Sequence, residues 1–277
     1  MRLHLIIVVV TCVSLCTACK DTAHDDRLSL REELYELIDT VPGTVGIAYV
    51  SDTDTITVNN GVKYPMMSVF KFHQALAVAC VLEKRGHYLD STLFIHADEL
   101  DRDTWSPMLI NYSDADFSIS VAELLKYSIT LSDNNASNLL FKHIVTPTET
   151  DEFVRHIAKD CAFQISCSES EMKDIKYLCY SNYSSPLSAA LLMRQIFEES
   201  LVGGVYQDSI KRYLSEVSTG VDRLGAAVAD SEMAIFAHKT GSGYRNEAGE
   251  LTAHNDIGYF LYRDGRNYSL AVFIRDF

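Results

Sequence analysis

Apolar residues recur along this chain in three rhythms, and each predicts a different kind of element. Alternation of period two marks Gly46 to Tyr49 and Thr55 to Val58 near the start, then Ala234 to His238, Ile257 to Tyr262 and Tyr268 to Ile274 near the end. Such runs are strands. The last two are joined by Arg263-Asp-Gly-Arg266, whose Asp-Gly is a tight hairpin signal. Helical spacing governs Leu28 to Ile38, Val121 to Tyr127, Asn138 to Ile144 and Leu187 to Glu198. A third segment runs from Val69 through Phe72 and Ala75 to Leu82 and is apolar on nearly every face, which describes a helix buried in the protein centre. From Ser68 to about Leu214 the pattern is mostly helical. The prediction is an α/β fold of the α+β type: an antiparallel sheet built from both chain ends, 26–62 and 215–277, flanked by helices, with an all-helical lobe, 63–214, inserted between them. No repeat or low-complexity segment interrupts it.

The first residues follow another logic. Arg2 and the apolar stretch from Leu3 to Leu15 read as an export signal, too short to span a bilayer. Leu15-Cys-Thr-Ala-Cys19 then resembles a lipoprotein processing site, with Cys16 where Leu is usual, so that lipidation at Cys19 and plain cleavage after Ala18 both stay open. Segment 1–19 is thus expected to leave or to anchor the chain, and the mature protein is expected in the periplasm or secreted. Its only membrane contact would be a lipid at Cys19.

Composition agrees with an enzyme. At 277 residues, 47% apolar and 22% charged, the chain can bury a sizeable core. A formal charge of −14 argues against nucleic acid as a partner. Of the seven Cys, Cys12 and Cys16 would leave with the signal. Cys80 sits on the buried segment as a small core residue, whereas Cys161, Cys167 and Cys179 could form a disulfide in an oxidising compartment. No Cys/His spacing suggests zinc or another metal, and His238 reads as structural.

Chemistry is carried by three separated pieces: Ser68-Val-Phe-Lys71, Ser132-Asp-Asn134 and Lys239-Thr-Gly241. A second Ser-x-x-Lys at Ser170 to Lys173 shows how little one such tetrapeptide says alone. Order and setting raise its meaning. A Ser hydroxyl needs a neighbouring base, and a Lys serves only if burial or other cations keep it partly neutral. Three residues apart on a helix, Ser68 and Lys71 share a face, and Lys71 would be a buried lysine. Pro65 and Met66-Met67 bring the chain to the helix start, where free N–H groups favour a developing oxyanion. Ser132 and Asn134 enter an apolar helix and admit two readings. One is an N-cap with Asp in the first turn. In the other, the Ser132 hydroxyl lies between the lysines and a leaving nitrogen, while Asn134 orients Lys71 and a substrate amide. Lys239 and Thr240 follow an apolar run along a sheet edge and would receive an anion. There the Ser242 N–H could join that of Ser68 in an oxyanion hole, with Gly241 and Gly243 allowing close approach of the ligand.

With these motifs in place, the chain resembles the class A serine β-lactamases, and the related penicillin-binding proteins, from about Asp26 to its last residue. The resemblance implies a cleft between two lobes and hydrolysis of a β-lactam through an acyl-enzyme on Ser68. The partner would be a small-molecule β-lactam, with no cofactor, and the chain is expected to work as a monomer. Thr104-Trp105-Ser106-Pro107 looks like the family's aromatic gatekeeper loop, which implies that Trp105 stacks against substrate. Ser218-Thr-Gly-Val-Asp-Arg223 looks like the segment where some members place the arginine that helps hold the β-lactam carboxylate. Lys71, Lys239 and Arg223 would then form a local positive focus in an acidic chain. Tyr64 to Ala77 looks most like the branch of anaerobe cephalosporinases and certain extended-spectrum enzymes. In the family a Glu activates the water that hydrolyses the acyl-enzyme. Its spacing of three before a Met in this branch selects Glu169 and leaves Glu171 as a solvated charge.

Departures from the family pattern carry expectations of their own. Lys173 stands where relatives have His or Asn, and a cation there is expected to favour the charged form of Glu169 and to displace the hydrolytic water. Cys167 replaces the Arg that ties the commonest form of this loop, and Met67 excludes a disulfide beside the nucleophile. The chain also stops at Leu270-Ala-Val-Phe-Ile-Arg-Asp-Phe277, where relatives add a helix over one sheet face. A few hundred Å² left uncovered would forgo on the order of ten kcal/mol at ~25 cal/mol/Å². Two other functions keep the first three motifs or the cleft: a penicillin-binding protein or D,D-peptidase, and a non-catalytic envelope lipoprotein. Both lack sustained turnover.

Overall fold

The computed structural model describes residues 25–112, 114–228 and 233–277. Segment 1–19, with Cys19, lies outside them. In chain order the elements of the first half are α1 (Asp25–Ile38), β1 (Thr44–Ser51), β2 (Thr55–Val58), β3 (Tyr64–Pro65), α2 (Phe70–Arg85), β4 (Thr92–Ile95), β5 (Phe117–Ser120), α3 (Val121–Thr130) and α4 (Asn134–His143). Then follow α5 (Pro147–Ile157), β6 (Phe163–Gln164), α6 (Glu169–Asp174), β7 (Tyr183–Ser184), α7 (Pro186–Glu198), α8 (Gly204–Ser215), β8 (Met233–Ser242), β9 (His254–Tyr262) and β10 (Asn267–Arg275).

The two chain ends meet in one antiparallel sheet of order β2-β1-β10-β9-β8. Thr44 lies opposite Arg275 and Ser51 opposite Tyr268, so the first and last strands zip together in full register. Alternation then sorts the side chains. Ile47, Tyr49, Leu270 and Val272 fall on one face and share a buried cluster with Leu30, Leu34 and Ile38 of α1, which recur every four residues along that helix. Ala48, Val50, Ala271 and Phe273 fall on the other face, within the main core. There α7 seals the sheet: Phe197 stacks on Tyr259 at 4.4 Å, and the Ser269 hydroxyl donates to the Ala190 carbonyl at 2.7 Å. The sheet face that relatives cover with a further helix is packed here by other parts of the chain. Phe260, Tyr268, Leu270 and Val272 are all buried, in a cluster shared with α1 and with Leu224, Ala227 and Val228.

The helix that the all-round apolar segment predicts is α2, buried along most of its length and ended by Gly86 in the left-handed conformation at φ +64°. The inserted lobe is not all-helical, since β4 pairs with β5 over four residues and β3 and β6 pair with β7. Two kinds of element escape the pattern. Helix α5 starts at a capping box of Thr146 and Glu149 with Pro147 at its first position, a signal present in the sequence. The pairings of β3 and β6 with β7 involve two residues each, too few for alternation to show.

Candidate active site

Ser68 sits in a single 3-10 turn, Met67–Val69, that feeds directly into α2. Met67 before it has φ +46°, a left-handed conformation that costs a non-glycine residue roughly 1–3 kcal/mol. The surroundings hold it there. The Met66 N–H donates to the Asn182 carbonyl at 2.8 Å, and buried Asn255 donates from Nδ2 to the Pro65 and Met66 carbonyls at 2.7 and 3.2 Å. On the other side β8 presses against the turn, so that a Cβ on Gly241 would lie 2.3 Å from the Met66 carbonyl. At Gly243 a Cβ would meet the Thr252 hydroxyl at 2.2 Å. The close approaches expected of a ligand at these two glycines are therefore made by the protein's own backbone and side chains.

Lys71, the second residue of α2, is fully buried and has three acceptors, matching the three N–H groups of an ammonium. They are the Ser132 carbonyl at 2.7 Å, Asn134 Oδ1 at 2.7 Å and Glu169 Oε1 at 2.9 Å. Ser132 is itself left-handed at φ +57°. Asp133 next to it caps α4 by accepting from the Ala136 N–H at 2.9 Å. The cap is thus Asp133 itself rather than a residue ahead of an Asp in the first turn, and it leaves Ser132 and Asn134 on either side of it in contact with the buried lysines.

Glu169 opens α6 and is buried against the nucleophile: the Ser68 hydroxyl donates to its Oε1 at 3.0 Å. The tie that holds its loop is Asn182, which no sequence signal marked. Its Oδ1 accepts from the Ser166 and Cys167 N–H groups at 2.8 and 3.1 Å, and its Nδ2 donates to the Cys167 carbonyl at 2.7 Å. Glu171 is exposed, as a solvated charge should be, and also completes the cap of α6 by accepting from the Ser168 N–H and hydroxyl, each at 2.8 Å. Lys173 also departs from expectation. It binds Asp101 at 2.6 and 2.9 Å, with Asp103 at 3.5 Å, and makes no ion pair with Glu169. Asp101 holds the Lys173 ammonium above the usual lysine range, and Lys173 holds Asp101 below the usual carboxylate range. Cys80, Cys161, Cys167 and Cys179 are all free thiols, so the disulfide does not form.

Across the cleft, Lys239 is fully buried and donates to the Ser132 hydroxyl and to the Thr240 carbonyl, both at 3.0 Å. Burial, then the charge of Lys71, pulls its pKa well below that of an ordinary lysine. The Thr240 and Thr219 hydroxyls are 2.6 Å apart. Arg223 is buried behind the strand, and burial lowers its basicity. It donates to the Asn255 carbonyl and to the Ser242 hydroxyl at 2.6 Å each, and to the Gly241 carbonyl at 3.2 Å. Trp105 stays largely exposed at the rim while its indole N–H donates to the Leu131 carbonyl at 2.9 Å. The gatekeeper loop is stitched to the second motif as well, by the Asn134 N–H to the Trp105 carbonyl at 3.0 Å and by Asn134 Nδ2 to the Thr104 hydroxyl at 2.9 Å.

Together these walls enclose a cleft of about 520 Å³. Ser68, Trp105, Ser132, Asn134, Glu169, Thr240 and Ser242 line it, with Lys173 and Tyr244 beside them. Lys71, Arg223 and Lys239 stand behind the lining, where they act through hydrogen bonds. His238 pairs with Asp256 at 3.0 Å inside the sheet, away from this chemistry. Among the described residues no cluster of His, Cys, Asp and Glu could hold a metal ion.

Comparisons with known proteins agree with this geometry. A profile of the Beta-lactamase enzyme family matches residues 29–277. A β-lactamase of Phocaeicola vulgatus is 46% identical over 263 residues, covering 94% of this chain and 82% of the relative. The extended-spectrum β-lactamase PER-1 of Pseudomonas aeruginosa is 30% identical over 89% of this chain and 80% of its own length. A solved class A β-lactamase from Bacteroides cellulosilyticus superposes with a TM-score of 0.83 at 31% identity, covering 90% of this chain and 89% of that one. With its nucleophile, buried lysines and loop glutamate gathered in one cleft, this chain belongs to the class A β-lactamase family.

Proposed function

We propose that this chain opens the lactam ring of penicillins and cephalosporins through an acyl-enzyme on Ser68 and so confers resistance to them. One observation carries the reading: a single glutamate oxygen touches both the nucleophile and the buried lysine. Glu169 Oε1 lies 3.0 Å from the Ser68 hydroxyl and 2.9 Å from Lys71 Nζ.

In acylation Ser68 Oγ attacks the lactam carbonyl and its proton passes to Glu169. Lys71, with its donors occupied, stabilises the carboxylate and locks the Ser132 carbonyl and Asn134 in place. The N–H groups of Ser68 and Ser242 stabilise the oxyanion, a contribution typically worth 10²–10³ in rate per donor. Ser132 passes its proton to the departing nitrogen and recovers one from Lys239, whose lowered basicity suits it to give a proton up. The proton on Glu169 leaves by way of the Lys71 ammonium and solvent while Lys239 regains its own, and Glu169, a carboxylate again, draws a proton from water as that water attacks the ester and returns it to the departing Ser68 Oγ. The substrate carboxylate is held by Thr240 and Ser242 under the charge of Lys239 and Arg223, while Trp105 and Asn134 bound the amide side. The second base is what a penicillin-binding protein lacks. We also place the enzyme outside the cytoplasm, periplasmic or secreted and with or without a lipid on Cys19, as a monomer; these points rest on the Arg2 to Cys19 pattern and the family likeness.

The test is a time course of chromogenic cephalosporin hydrolysis at known enzyme concentration. Product should pass many equivalents with the native chain, and Ser68→Ala should show neither turnover nor a covalent adduct by mass spectrometry. A burst that stops at one equivalent would overturn the hydrolase reading.

A further inference from the structure

Glu169 and Lys173 stand four residues apart on α6, the spacing at which a glutamate and a lysine normally pair on one helix face. Both line the cleft, yet they do not pair. Lys173 Nζ reaches instead to both oxygens of Asp101, at 2.6 and 2.9 Å, and to Asp103 at 3.5 Å. The partners of Glu169, Ser68 and Lys71, both meet Oε1, which leaves Oε2 without a donor among the described residues.

We propose that Asp101 is a positioning residue for deacylation: its carboxylate draws Lys173 away from Glu169 and keeps that glutamate able to accept a proton from water. The inference rests on the role given to Glu169 above. Asp101 is fixed for the task. Its N–H donates to Asn135 Oδ1 at 2.9 Å, its carbonyl accepts from Asn135 Nδ2 at 2.8 Å, and its Oδ1 also accepts from the Asp103 N–H at 2.9 Å. It is thereby bolted to α4, the helix that presents Asn134 to Lys71. Glu169 already faces Lys71 from α2 and feels Lys239 from β8. On its own helix Glu171 is turned to the Ser168 cap and adds no contact. A third cation, released onto Oε2, would hold the carboxylate in its charged form and occupy the oxygen a water must reach.

Three variants test this with single-turnover and steady-state kinetics on a chromogenic cephalosporin, and with adduct lifetimes read by mass spectrometry. Asp101→Asn keeps the acceptor for the Asp103 N–H and removes the charge. It should acylate at the native rate and hydrolyse its acyl-enzyme about tenfold more slowly. Lys173→Asn should behave as the native chain, and the double variant should recover the native deacylation rate. The proposal falls if Asp101→Asn deacylates normally, if the double variant stays slow, or if Lys173→Asn is itself slow, since the ion pair would then act as a brace. The Lys173→Asn arm stands even if Asp101→Asn folds poorly. A native chain that never exceeds one equivalent fails the functional reading, whereas native turnover with an unimpaired Asp101→Asn overturns only the part given to Asp101.

Discussion

Ser68 and Glu169, separated by 101 positions in the chain, meet through one hydrogen bond of 3.0 Å from hydroxyl to carboxylate. A carboxylate so placed serves both halves of an acyl-transfer cycle, taking the serine proton first and a water proton afterwards. Glu169→Gln keeps the shape and removes the base. Acylation should slow but complete, while deacylation falls by roughly 10²–10⁴. Intact-mass spectrometry should show a persistent adduct of one equivalent; turnover near the native rate would exclude Glu169 as the deacylating base.

Gly241 is where the sheet edge meets the nucleophile turn. A methyl group there would stand 2.3 Å from the Met66 carbonyl and 3.2 Å from the Val69 side chain. Because the first contact is backbone, Gly241→Ala should shift the turn that aims Ser68, and a displacement of about 1 Å can cost on the order of 10² in rate. The far-ultraviolet circular dichroism should stay native while kcat falls. Unchanged kcat would show that the turn yields without moving Ser68.

Asn182 carries the loop in front of Glu169 on three hydrogen bonds. It is fully buried, so Asn182→Ala unpairs the Ser166 N–H and leaves the buried backbone N–H and carbonyl of Cys167 without a partner, at a cost of about 1–3 kcal/mol. Denaturant titration should show that loss, and deacylation should suffer more than acylation if Glu169, on that loop, is the base proposed above. Equal losses in the two steps would mean that the loop holds its shape without Asn182.

His73, on α2 against the Phe163 ring, is buried, and burial pushes its pKa down from 6.5 to about 4. The folded ring stays neutral over a range in which the unfolded one takes up a proton. Between about pH 6.5 and 4 the unfolded state therefore binds more protons, and stability falls as pH falls; above pH 6.5 this penalty is absent. At pH 4.5 it amounts to about 3 kcal/mol. Urea denaturation at pH 7 and pH 4.5 should show a smaller acid loss for His73→Gln than for the native chain. Equal losses would place the acid sensitivity elsewhere.

Much of the molecule was legible before any coordinates. The strand of Thr55–Val58 and the helices starting near Val121 and Leu187 emerge close to their predicted bounds, because a two- or four-residue recurrence of apolar side chains is the local imprint of burying one face. Ser68, Lys71, Ser132, Asn134, Lys239, Thr240 and Ser242 could be singled out because acyl transfer needs those residue types, and Glu169 through the family resemblance; the fold brings them together around one cleft. Lys173 shows where the sequence misleads. Its i,i+4 spacing and its place in the family pattern both point at Glu169, whereas the folded chain offers it Asp101, 72 residues away, at 2.6 Å.

The same distinction runs through the site. Hydrophobic order along the chain determined the sheet from two ends and the buried helix, because burial acts on every residue and repeats with the geometry of the backbone, while the reactive groups were marked by their motifs and the family resemblance. Only the tertiary structure decided what holds those groups: Asn182 behind the Glu169 loop, Asn255 under the nucleophile turn, Asp101 opposite Lys173, and Gly241 against Met66. A polar side chain takes whichever partner the finished fold brings within about 3 Å. That choice has no period, spans long stretches of chain, and leaves no mark in the sequence until the backbone has closed.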